Sequence, residues 1–150
     1  MTQATNLLND DGSASMATAL LMSHHAFRRD IARFARALQK VDPLLERGER
    51  AFAELPNAGE ALSVVNELAQ LLDAHLSTEE ASVIRFLREA RDFPAPPSEE
   101  MLAMYAQGFA WSSHGVAPEV LQALDAMLPP SLASLLPAAR AEFQARCDRV

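Results

Sequence analysis

Two stretches of this chain space their apolar residues in alternating steps of three and four. That spacing puts them on one side of an α-helix and on no single side of a β-strand. In the first stretch Leu20, His24, Phe27, Ile31, Phe34, Leu38 and Val41 share a face. In the second, Ala61, Val65, Leu68, Leu72, His75, Glu79, Val83 and Phe86 do the same. No run alternates apolar with polar residues as a half-wet strand would, and there is no internal repeat of fixed period. The fold class expected is all-α, and the short connections favour antiparallel neighbours.

Proline, glycine and serine set the expected boundaries. Residues 1 to 13 are polar and read as a flexible tail, followed by one helical domain over 14–150 whose first helix is capped by Ser13 or Ser15. Asp42-Pro43 is expected to end that helix near Val41, because a residue before proline is pushed out of the helical region. A short helical piece over Leu44 to Leu55 follows, then a second long helix from about Gly59 to Arg91, closed by Pro94, Pro96 and Pro97. Ser98 caps a third helix that stops near Gly115, with Glu99 and Glu100 placed to suit its dipole. Pro118 opens a fourth, running to Leu128, and Pro129-Pro130-Ser131 separates it from a last helix that ends near Val150 and that Pro137 kinks or delays.

Charge and composition exclude several classes of function. The chain has 150 residues, 49% of them apolar, and a formal net charge of -7, so it lacks the basic surplus that a general affinity for nucleic acid or anionic membrane demands. No apolar run approaches the roughly 18 to 20 residues of a membrane span, and no signal-type segment opens the sequence. With Cys147 as its one cysteine there is no internal disulfide, so a soluble protein of a reducing cytoplasm is expected. Five of the thirteen cations, Arg28, Arg29, Arg33, Arg36 and Lys40, crowd the first helix. They form either a solvated face or a docking surface for an acidic partner.

A carboxylate on an apolar stripe needs an explanation, because a buried charge must be paired, protonated or bound to metal. His75 and Glu79, four residues apart, can reach one point between helices, and His24 can join them from the first helix. Two imidazoles and one carboxylate suit non-heme iron with positions left open for dioxygen or substrate. Each residue also has a structural reading: a hydrogen-bonded core histidine, or a surface pair if the second stripe is turned by one residue, which would favour the adjacent Glu80. His25 lies about 100° round the helix from His24. His114, before Gly115, fits a helix C-terminus, and Tyr105 and Trp111 read as core aromatics, with the Tyr105 hydroxyl able to face a site.

The segments Ser23-His24-His25-Ala26-Phe27-Arg28-Arg29-Asp30 and His75-Leu76-Ser77-Thr78-Glu79-Glu80 resemble the hemerythrin-like, or HHE, cation-binding family. The stretch Gly108 to Val150 also resembles the tail of its bacterial members. The resemblance implies an antiparallel four-helix bundle, here with an extra short helix, and a non-heme di-iron site. It assigns His24 and His75 to one iron and Glu79 to a bridge. The family's second iron takes a histidine pair from the third helix and a His and an Asp from the fourth, and neither pair is present; Met101, Met104 and Tyr105 stand on the third helix instead. The implied function is a reduced site, with a single iron or an altered pair, that binds or activates dioxygen or a related small ligand and could act on a small organic molecule in the bundle core. The alternative is a metal-free bundle in which the same three residues form a polar cluster. It would serve as a binding or interaction module, or as a cofactor-independent acid/base catalyst with Glu79 as base.

Overall fold

The structure is a computed structural model that describes residues 7–47 and 58–149. Among the described residues the regular structure is helical throughout: α1 Met16–Arg47, α2 Ala58–Leu87, α3 Glu99–Ser113, α4 Pro118–Met127, α5 Pro130–Ala133 and α6 Leu136–Cys147. No helix among them is long and apolar enough to cross a membrane.

Three boundaries differ from expectation, one being that α2 ends at Leu87 and not near Arg91. α1 continues through Asp42-Pro43 to Arg47. A proline inside a helix removes one hydrogen bond, but here the loss falls in the penultimate turn, where the cost of a proline is smaller than in the middle of a long helix. The short piece expected over Leu44 to Leu55 therefore begins as the end of α1, and its remainder lies outside the described residues. The last helix is divided: α5 is a single turn, and α6 starts afresh with Pro137 in its first turn, where the missing N–H costs nothing.

The chain separates into two compact units, the first formed by Met1–Ala26 with Glu80–Val150 and the second by Phe27–Glu79. The first holds a hydrophobic core built on Met22, Phe109, Val120, Leu124, Leu132 and Leu136. α3 is capped as expected, the Ser98 hydroxyl accepting from the Met101 amide at 3.2 Å. At its other end His114 is the cap residue and Gly115 turns the chain at φ +78°, a conformation that favours glycine. Arg140 of α6 clasps Asp125 of α4 with two bonds of 2.7 Å and also reaches the Ser113 hydroxyl, so one guanidinium ties three helices.

The segment before α1 is packed from residue 7 onward. Leu7 and Leu8 lie partly buried against the core, and the Thr18 hydroxyl donates to the Leu7 carbonyl at 2.7 Å. Arg88 donates to the Leu8 carbonyl, Asn9 donates to the Arg88 carbonyl, and the Met16 amide bonds the Ala90 carbonyl. Hydrogen bonds from Ser13, followed by the guanidinium of Arg91, hold the exposed Asp11 carboxyl below its usual range.

The second unit consists of the later part of α1 and the earlier part of α2. They run side by side and antiparallel, Arg28 Nε bonding Asp73 at 2.7 Å and Arg28 Nη2 bonding Ser77 at 3.4 Å. Val65 and Leu76 are its buried apolar residues among those described.

Candidate functional site

His24 sits where its stripe places it, 3% exposed on the inner face of α1. Its partner is Glu80, whose Oε1 lies 2.9 Å from His24 Nδ1. With the carboxylate ionised, Nδ1 carries the hydrogen and donates it, which removes most of the cost of burying an imidazole. Glu80 keeps 26% of its side chain in solvent, so its charge is only partly desolvated.

The α2 stripe is turned by one residue from the expected one. Beyond Leu72 the inner face proceeds by a step of four to Leu76 and then to Glu80, leaving His75 73% exposed and Glu79 39% exposed. The reason is the usual one for a helix choosing between adjacent registers. Burying Leu76 is worth roughly 2 kcal/mol, whereas burying the imidazole and carboxylate of His75 and Glu79 would have to be compensated by new bonds. His75 and Glu79 instead face each other loosely along the helix surface, at 3.9 Å.

The donors can be set against the needs of non-heme iron. Two imidazoles and a carboxylate must converge within about 2 Å of one point, with further positions open. Among the described residues no group of three or more His, Cys, Asp and Glu side chains is placed to hold a metal ion. His24 and Glu80 offer one nitrogen and one carboxylate, already bonded to each other, and this does not fit the group.

The same unit has a second feature. Between the start of α1 and α3 lies an open cleft of about 350 Å³, walled by Leu20, Ser23, Leu87, Phe93, Tyr105 and Trp111 among others, with no ionisable acid or base other than the Tyr105 phenol in its lining. Phe93 anchors one wall, meeting Phe109 edge-on at 5.2 Å and Tyr105 at 6.3 Å. The hydroxyls of Ser23 and Ser112 are turned to their own helices, donating to the carbonyls of Ala19 and Phe109. Nothing among the described residues hydrogen-bonds the Tyr105 hydroxyl. Gly108 lies in the α3 wall, and a Cβ built there meets nothing within 4 Å.

The sequence read Tyr105 and Trp111 as core aromatics, with the Tyr105 hydroxyl able to face a site; both are half-buried instead and line the cleft. Gly108 and Ser23 carry the site without having been singled out. The one available signal was a glycine in the middle of a good helical pattern, which costs stability unless something needs the space.

No protein-family model, no curated protein and no solved structure matches this chain.

Proposed function

We propose that this protein is a metal-independent binding module that takes an uncharged, mainly apolar small molecule into the cleft between α1 and α3. The supporting observation is the composition of that cleft: about 350 Å³ lined by apolar and aromatic groups, no charged side chain, and a phenol hydroxyl without a partner among the described residues. The volume is at the lower end of small-molecule sites, which run from roughly 300 to 1,000 Å³. A ligand with one ring or a short aliphatic body and a single hydroxyl or carbonyl would fill it and satisfy Tyr105. Charged ligands are disfavoured, since desolvating them in this lining would go uncompensated.

Trp111 is the one tryptophan of the chain and lies in the cleft wall, so its emission reports occupancy directly. Titration with simple phenols and medium-chain alcohols should shift it saturably in the wild type. Gly108→Leu should abolish the response while leaving the helix content and melting temperature intact or raised, because the added side chain enters open space at a helical position. Unchanged binding in a folded Gly108→Leu protein would reject the cleft as the site.

A second reading keeps the hemerythrin-like four-helix bundle with a reduced iron site for dioxygen or a related ligand. The observation in its favour is His24, buried on α1 and facing an acid of the second helix. It needs donors beyond His24 and Glu80, and metal analysis of untagged protein decides it. Iron retained in stoichiometric amount would replace the cleft reading with this one.

A further inference from the structure

The second unit, Phe27–Glu79, exposes an apolar surface that is unusual for a helical hairpin. Phe27, Phe34, Val64, Leu68 and Leu71 are all large and all at least 46% exposed, with Leu71 reaching 70%. Their positions are ordered. The inner line of α1 in this unit passes through Arg28, Ile31, Ala35 and Leu38, and that of α2 through Val65, Ala69, Leu72 and Leu76. Phe27 and Phe34 each precede an inner residue of α1 by one place, and Val64, Leu68 and Leu71 each precede one of α2 by one place. A step of one residue is about 100° of rotation, in the same sense on both helices. In an antiparallel pair, equal rotations lead to the same side, so the five residues form one face across both helices.

The next line round is charged, and its sign differs between the helices. On α1 it carries Arg33 and Lys40, seven apart; on α2 it carries Glu60 and Glu67, also seven apart, and all four are exposed. From 27 to 40 the chain has five cations and one anion; from 58 to 79 it has four anions and no Lys or Arg. One edge of the apolar face is therefore basic and the other acidic.

We propose that this face is the interface of a homodimer, in which two hairpins related by a two-fold axis along the helices complete an intermolecular four-helix bundle. A second copy fits because it supplies both the apolar area and the opposite charges. α1 of one protomer lies against α2 of its partner, and the face residues of both interdigitate between them. The register fixed by Arg28 against Asp73 sets position 33 level with 68 and position 40 level with 61, so Arg33 meets Glu67 and Lys40 meets Glu60 of the partner within one residue. The other pairing, α1 on α1, would set Arg33 and Lys40 against their own copies and is disfavoured by charge. Two helices about 30 Å long, with axes about 10 Å apart, present roughly 600 to 800 Å² per protomer, the area of a standard stable interface.

The test is sedimentation equilibrium of the full chain from about 1 to 200 µM, where a mass of twice the 16.3 kDa protomer is expected. Leu68→Asp and Leu71→Asp, both at exposed positions that leave the fold intact by circular dichroism, should weaken the dimer by about a hundredfold or more. Arg33→Glu with Lys40→Glu should weaken it by about tenfold, and adding Glu60→Lys with Glu67→Lys should restore it to within about threefold. A monomer at every concentration overturns the proposal, including the case in which residues 48–57 of the same chain cover the face. A dimer indifferent to Leu68→Asp overturns it as well, and one weakened by the first charge reversal but not restored by the second rejects the α1-on-α2 arrangement.

Discussion

Replacing Glu80 with alanine tests whether the inner face of α2 has been placed in the correct register. The side chain removed accepts a hydrogen bond of 2.9 Å from an imidazole that is 3% exposed. A hydrogen bond involving a charged group contributes about 1.5 to 3 kcal/mol, and an orphaned buried donor costs about 1 to 3 kcal/mol. Because Glu80 is a quarter exposed, water can enter behind the truncated side chain and satisfy part of the demand, which moves the expectation to about 1.5 to 2 kcal/mol. For a chain of this size that corresponds to a fall in Tm of roughly 3 to 8 °C. Glu80→Gln keeps an acceptor oxygen for Nδ1 and should cost less than half as much. Glu79→Ala and His75→Ala, at exposed positions, should stay within about 0.5 kcal/mol of wild type. Urea denaturation followed by far-ultraviolet circular dichroism measures all four, in chelator and again with iron(II) under nitrogen. A larger loss for Glu79→Ala than for Glu80→Ala would show that the register is misplaced. A loss for Glu80→Ala that appears only with iron would show that the pair is a metal site.

Two further changes test the packing of the first unit. Asp125→Asn breaks one half of a two-bond clasp on Arg140 and should cost about 1 to 3 kcal/mol in urea melts, whereas Ala at a solvent position such as Glu142 should not. Ser15 is fully buried and its hydroxyl has no partner among the described residues, so Ser15→Ala should be neutral or stabilising by up to about 1 kcal/mol; a clear loss of stability would mean that this hydroxyl caps α1.

The period of the apolar residues was enough to read α1 and α2 from the sequence, because three-four spacing has one regular solution, while capping and proline signals marked α3 and α4. It could not fix the rotation of α2. Leu68, Leu71, Leu72 and Leu76 offer two overlapping stripes, and each satisfies the period; the choice depends on which one α1 meets, and that is a tertiary fact. The α1 stripe correctly buried His24 but also claimed Phe27 and Phe34, which the structure leaves exposed. Those two lie on the side where α2 shows Val64, Leu68 and Leu71, the exposed apolar face on which the proposed dimer rests. Pro43 misled in the other direction: the bias of the residue before a proline is a preference and not a prohibition, and a helix held elsewhere can override it near its end.

Two local costs coincide at the cleft, and their coincidence argues for an occupant more strongly than the volume does. A glycine inside α3 costs about 0.5 to 1 kcal/mol relative to alanine, and Gly108 has open space where alanine would fit. The apolar lining beside it stays accessible to water although the neighbouring residues Phe109 and Met22 are buried. Beside them the Tyr105 hydroxyl projects from a partly buried ring, takes no bond from the described residues and reaches solvent, so a ligand can take the place of water on it. A sequence optimised for packing alone could remove both costs with a single Gly108→Leu change. Where local preference is given up at several adjoining positions, a shared requirement of function is the economical explanation. One bound molecule with an apolar body and a single polar group answers to both, since it needs the space that Gly108 leaves and covers the exposed lining, and its polar group can replace water on the Tyr105 hydroxyl.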